Sequence, residues 1–258
     1  MIRTITLSAF LTLGVAGIAQ AQAADPNWTG PYIGVHGGGT LNNSQVTTRG
    51  TTTGNSNDLV NNARPSNIPL DRNGGVIGGQ LGYNMQMGRW VAGVETDIAS
   101  VDANSSNTYS SPSGFGTLPA GTRSYASAKM NYLGTARVRF GRLLTPRVLL
   151  YGTGGYAYGD VKYRADFAGG TGAPQFSGFH QYTAGGYAVG AGLEYAQPTP
   201  LNLLGHQSAV TLRAEWIHYD LGKKQVGVGA LGNGASGGYV SNFKTLGDEL
   251  RGGVNFKF

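Results

Sequence analysis

Gly75-Val76-Ile77-Gly78-Gly79-Gln80-Leu81-Gly82-Tyr83-Asn84-Met85-Gln86 reads with a period of two. Ile77, Leu81, Tyr83 and Met85 fall on one side, while Gly78, Gln80, Gly82, Asn84 and Gln86 fall on the other. In an extended chain successive side chains point to opposite faces, so this is a strand with one apolar face and one polar or small face.

The same alternation recurs over residues 28–39, 90–99, 129–141, 148–159, 185–195, 208–219 and 250–258, which makes eight strands. The links between them alternate in length. Residues 40–73, 100–128, 160–184 and 220–249 are long. Residues 87–89 and 142–147 are short, and 196–207 is of medium length. Elaborated loops on one rim and tight turns on the other are what an up-and-down antiparallel barrel produces. The long links are rich in Asn, Ser, Thr and Gly, as in 47–62 and 100–116, and read as mobile surface loops rather than a second domain.

Composition narrows the class further. Of 258 residues 44 are Gly, and only 12% are charged against a soluble-protein norm of about 25%. With 14 Tyr, 9 Phe and 3 Trp the chain is too aromatic for a disordered one. Cysteine is absent, which excludes disulfides, thiolate metal sites and cysteine nucleophiles. At the N-terminus Arg3 precedes a mostly apolar or small stretch, and Ala21-Gln22-Ala23 offers an A-x-A cleavage site. Residues 1–23 therefore read as a secretory signal peptide and 24–258 as the barrel. The formal charge of +6 is spread over scattered Lys and Arg, with Lys223-Lys224 the one adjacent pair, so nucleic acid is not an expected partner.

The charges identify the outer solvent. With the apolar phase of each strand turned outward, the outward positions hold no Asp, Glu, Lys or Arg. The opposite phase holds Glu95, Asp97, Arg137, Arg139, Glu194, Arg213, Glu215, Arg251 and Lys257. A soluble ligand-carrying barrel would invert this arrangement. Outward Tyr83, Trp90, Phe140, Tyr195, Phe256 and Phe258 fall at the short-turn end of their strands, and Tyr132, Tyr156, Tyr158, Tyr187 and Trp216 toward the other end. Two such rings are the aromatic girdles of a membrane barrel. At bilayer depth every backbone N–H and C=O must be paired, so the first strand is expected to pair with the last. The fold expected is an all-β, eight-stranded antiparallel up-and-down transmembrane β-barrel.

The residues also resemble a known family, the small outer-membrane β-barrel proteins of Gram-negative envelopes, in particular the porin-like alphaproteobacterial surface antigens. The resemblance covers essentially the whole chain. It is carried by Trp28-Thr29-Gly30-Pro31-Tyr32-Ile33-Gly34, Gly78-Gly79-Gln80-Leu81-Gly82-Tyr83-Asn84, Gly93-Val94-Glu95-Thr96-Asp97, the stretch from Leu150 to Gly159, and Val189-Gly190-Ala191-Gly192-Leu193-Glu194-Tyr195. Arg213-Ala214-Glu215-Trp216 and the terminal Val254-Asn255-Phe256-Lys257-Phe258 complete it. The resemblance implies residence in the cell outer membrane with both chain ends in the periplasm. It also implies insertion by the outer-membrane assembly machinery, which reads a C-terminal strand ending in an aromatic residue. Val254, Phe256 and Phe258 match that signal. The long link 40–73 and the turn 196–207 depart from the family pattern.

Other chemistries fare poorly. Gly152-Thr153-Gly154-Gly155-Tyr156-Ala157 matches a dinucleotide fingerprint, but no helix pattern follows it. Ser177 and His180 sit near one another without an orienting acid for nucleophilic catalysis. His36, His180, His206 and His218 lie on separate segments with no zinc spacing. No cofactor or metal is expected, and no enzymatic activity. Eight strands enclose an interior that side chains just fill. The inner charges are thus expected to form an ion-pair lattice, Glu95 with Arg137 and Glu215 with Arg213 and Arg251. The leading function is a structural, envelope-stabilising and surface-presenting protein, monomeric, in contact with outer-membrane lipid and lipopolysaccharide. Lys223, Lys224 and Lys244 near the outer rim suit the latter contact. Alternatives are a narrow porin-like channel and a loop-borne surface receptor or adhesin.

Overall fold

The fold is taken from a computed structural model that describes residues 25–71, 73–197, 201–203, 206–232 and 236–258. The signal-peptide reading of residues 1–23 lies outside the described residues. Eight long strands form the wall: β1 (Gly30–Leu41), β4 (Gly74–Met87), β5 (Trp90–Ser110), β6 (Arg123–Thr145), β7 (Val148–Ala168), β8 (Pro174–Ala196), β10 (His206–Ala230) and β11 (Gly238–Lys257). The first long link adds β2 (Asn43–Gly50), α1 (Thr53–Val60) and β3 (Asn67–Asp71), and the medium turn adds β9 (Leu201–Leu203). Each wall strand pairs antiparallel with the next in the chain. The ring closes where β1 meets β11, from Tyr32 opposite Lys257 to Leu41 opposite Asp248. This is an eight-stranded up-and-down barrel, and closure leaves no unpaired edge at membrane depth. No helix among the described residues is long and apolar enough to cross a membrane.

The period-two pattern sorts the side chains. On β1, Tyr32, Gly34 and His36 are buried while Pro31, Ile33 and Val35 are exposed. Ile77, Leu81, Val94, Ile98, Val138 and Leu250 stand on the outer wall, each more than half exposed. A belt of bare aliphatic side chains around a sealed ring is stable only if lipid covers it.

Two expectations from sequence are corrected. Residues 100–128, 160–184 and 220–249 are largely not mobile loops but upward continuations of the hairpins. β5 runs to Ser110 before β6 starts at Arg123, and β7 runs to Ala168 before β8 starts at Pro174. The alternation there was hidden because it uses small residues: Ala103, Ala126 and Ala128 point in, while Asn104 and Ser106 point out. The second correction concerns the first strand, which begins at Gly30 and not at Trp28. Gly30 has a φ of 129°, a conformation open mainly to glycine, and the chain turns there. Trp28 consequently swings beneath the barrel mouth instead of opening the first strand.

The first long link also folds back on the barrel. Above Leu41, β2 replaces β1 as the partner of β11, with Gly50 opposite Tyr239 and Thr47 opposite Asn242. Thr52 then caps α1, its side chain accepting from Asn55 N at 3.2 Å. The segment after α1 crosses to the far wall, where Tyr109 Oη and Ser111 Oγ donate to the Asn62 carbonyl at 2.8 and 3.1 Å.

Candidate functional site

The bore is the candidate site, and it is filled in three layers. At the periplasmic mouth Trp28 packs with Val91, Leu143, Leu149, Tyr151 and Ala196. Its indole N–H donates to the Pro146 carbonyl at 3.0 Å, and its backbone N–H donates to Gln86 Oε1 at 2.9 Å. Lys257, at the same end, donates to the Asn27 carbonyl at 3.2 Å.

Above this lies the charged layer. Arg137 on β6 reaches Glu95 at 2.7 Å and Asp97 at 3.0 Å, both on β5. Its other terminal nitrogen crosses the bore to Glu215 on β10 at 3.1 Å. Arg213 bridges Glu95 at 2.5 Å and Glu215 at 3.2 Å. Arg251 on β11 holds Glu215 at 2.7 Å and Asp97 at 3.2 Å. Arg139 pairs with Glu194 on β8 at 2.6 Å, and its guanidinium lies 4.0 Å from the centre of the Tyr151 ring. Arg139 also lies 3.7 Å from Glu95, so eight of the nine inner charges named from sequence are buried in one connected network, and Lys257 lies below it.

Neutral side chains join the remaining strands to it. Tyr32 on β1 donates to Glu95 at 2.7 Å, and Tyr151 on β7 donates to Glu215 at 3.2 Å. Glu194 accepts from Thr211 at 2.5 Å and Asn255 at 2.9 Å, and Asn255 accepts from Gln80 on β4 at 2.7 Å. Gln80 Oε1 meets His36 Nδ1 at 2.5 Å, and Arg251 meets His36 Nε2 at 3.3 Å. Arg251 can only donate, so His36 accepts at Nε2 and carries its proton on Nδ1. Every wall strand thus contributes to one hydrogen-bonded cross-section. Glycines make the room: a Cβ on Gly82 would collide with the Tyr32 ring.

Sequence reasoning missed Glu249, which lies 3.5 Å from Arg251. It is in phase with Arg251 two residues on, and only the late start assigned to the last strand concealed it. The neutral partners carry no sequence signal of their own.

The upper layer is apolar and aromatic, including Tyr163, Phe167, Phe176, Tyr239 and Phe243. Arg64, from the link that follows α1, is buried in it. Its guanidinium sits 5.5, 5.1 and 5.2 Å from the ring centres of Phe167, Phe176 and Tyr239. It also donates to Gln175 at 3.0 Å and lies 3.6 Å from Asp58. Loss of hydration pulls the Arg64 guanidinium below its usual range, against the opposing pull of Tyr239 and Asp58. Nothing in the sequence distinguished this arginine.

The remaining candidates are placed as follows. Tyr83, Trp90, Phe140 and Tyr195 lie exposed on the outer wall at the short-turn end, with Trp90 and Phe140 stacked at 5.1 Å. Val254 and Phe256 are half-buried on β11 opposite Val35 and Ile33, and Phe258 is exposed. Ser177 and His180 are three apart on β8 and so point to opposite faces. Ser177 donates to Asp166 at 2.6 Å and His180 packs on Tyr182, so the two do not form a nucleophile and base. The Gly152 to Ala157 stretch runs on as strand within β7, without the helix a phosphate cradle needs.

The family model described as "Outer membrane protein beta-barrel domain" matches residues 9–258. The 31 kDa outer-membrane immunogenic protein of Brucella melitensis biotype 1 is 32% identical over 232 residues, which is 88% of this chain and 85% of that protein. The protein of the same description from Brucella suis biovar 1 matches equally. Among solved structures, the outer membrane protein OprG from Pseudomonas aeruginosa shares the fold with a TM-score of 0.55 at 16% identity, over 91% of this chain and 98% of that one. The chain accordingly belongs to the outer-membrane β-barrel domain family and is a protein of the outer membrane.

Proposed function

We propose that this protein is a non-enzymatic structural barrel that stabilises the envelope and presents rigid hairpins at the cell surface, with a bore closed to solutes. The observation that carries this reading is the charged cross-section to which all eight wall strands contribute, with the Trp28 layer below it and the Arg64 layer above. A passive pore needs a continuous water path, and here arginine and carboxylate side chains occupy it. Surface presentation draws support from the relatives described as outer-membrane immunogenic proteins. The closed ring needs no second copy, so the protein acts as a monomer in contact with outer-membrane lipid and lipopolysaccharide. Assembly proceeds through recognition of β11 and its outward Val254, Phe256 and Phe258.

Planar-bilayer recording tests the closed bore. The refolded full chain should give no stable, stepwise openings at an ionic strength where small porins conduct. Reproducible unitary steps would favour the narrow-channel reading instead.

A further inference from the structure

The outer wall carries a second ordered feature at the upper aromatic girdle. Tyr132, Tyr156 and Tyr158 form a shelf on β6 and β7, with ring centres 6.3 to 6.4 Å apart. Tyr132 stands opposite Asp160, and after a bulge that absorbs Asn131 the next outward pair is Lys129 opposite Lys162. Directly opposed side chains in an antiparallel pair have Cβ atoms about 5 Å apart, and like charges placed so destabilise the sheet.

No acid among the described residues makes an ion pair with these lysines, although the neutral amides bonded to Asp160 and Asp102 leave both carboxylates charged. Asp160 accepts from Asn131 at 2.5 Å and from Gln181 at 3.3 Å. Asp166 accepts from Arg164 and Ser177, each at 2.6 Å, and Asp102 accepts from Asn104 at 2.7 Å. On β10 and β11 the comparable pair, Lys223 opposite Lys244, has Asp220 at 3.6 Å from Lys244. Lys129 and Lys162 have no such ion pair among the described residues.

We propose that Lys129 and Lys162 form a two-pronged site for the phosphate of an anionic outer-leaflet lipid headgroup. The tyrosine shelf places the pair at headgroup depth, where a phosphate between two ammonium groups turns a repulsion into two attractions. The site rests on the lipid contact proposed above and locates it away from Lys223, Lys224 and Lys244.

The test uses the full chain refolded in non-ionic micelles and titrated with diphosphoryl lipid A, a phosphate-free analogue and inorganic phosphate. Removing two lysines from an anionic headgroup should weaken lipid A binding about thirtyfold, at about 1 kcal/mol per lysine and 1.4 kcal/mol per decade. K129Q/K162Q is the variant, and R49Q/R123Q, which removes two charges higher on the hairpins, is the control expected to stay within twofold. Without lipid, K129Q/K162Q should melt at or above the wild-type temperature, which separates lost binding from misfolding. Equal lipid A binding by K129Q/K162Q and wild type would overturn the site while leaving the broader lipid contact intact. Wild-type binding of the phosphate-free lipid as tightly as lipid A would overturn both. Inorganic phosphate binding as tightly as lipid A would overturn the lipid as its source.

Discussion

Arg137→Ala should destabilise the folded barrel by about 3 to 5 kcal/mol, the range for removing one partner of a buried ion pair. Arg137 has essentially no exposed side chain, and it joins two carboxylates of β5 to one of β10 across the bore. Truncating it strands Glu95, Asp97 and Glu215 with less positive charge in a buried interior. Arg213 and Arg251 still reach those acids, which places the expected loss toward the lower end. Arg137→Lys should recover only part of it, because a single ammonium cannot address carboxylates on two strands and the Thr135 hydroxyl at once. The readouts are urea unfolding in micelles and the temperature at which the folded band on a gel converts to the unfolded one. An unchanged midpoint for Arg137→Ala would discard the lattice as a source of stability.

Trp28→Ala should lose a comparable 3 to 5 kcal/mol, as for a buried tryptophan truncated to a methyl group. Trp28 is only 1% exposed and tethers the N-terminal segment to the turn between β6 and β7 through Pro146. Trp28→Phe keeps most of the apolar contact but leaves the Pro146 carbonyl without its donor, and should lose about 1 to 3 kcal/mol. A protease added on the periplasmic side should then cut ahead of Gly30 in Trp28→Ala and not in the wild type. If both variants unfold with the wild type, the N-terminal segment is a passenger and the lower layer is not a seal.

The wall of the barrel was legible because its two solvents differ so sharply. Lipid rejects every charge from one phase of each strand, and the other phase collects them, so the orientations of Glu95, Arg137, Arg139 and Glu215 follow from counting by twos. What counting cannot supply is distance across the bore. Arg137 and Glu215 are 78 residues apart and meet only because the ring closes with a particular stagger. The upward hairpins escaped notice because Ala and Ser alternate too weakly in hydropathy to mark a strand. Trp28 read as the first residue of the opening strand, since its fold-back depends on the backbone at Gly30. Arg64 is unrecognisable for a different reason: its cage is assembled from Phe167, Phe176 and Tyr239, on three strands remote in sequence. The facing lysines also depend on a bulge, the one that skips Asn131 and brings Lys129 opposite Lys162.

Hydrocarbon touches the outside of this ring, and its charges lie within. The chain has no cysteine, so each introduced cysteine reports a single place. Spin labels at Ala136, Val138 and Phe140, all exposed on β6, can be compared in a reconstituted bilayer with one at Ser106 on the upward extension of β5. The three β6 labels should relax strongly with dissolved oxygen and weakly with a water-soluble nickel chelate, and the label at Ser106 should do the reverse. Nickel-accessible labels at 136, 138 and 140 would put water on that face and rule out a lipid-facing wall.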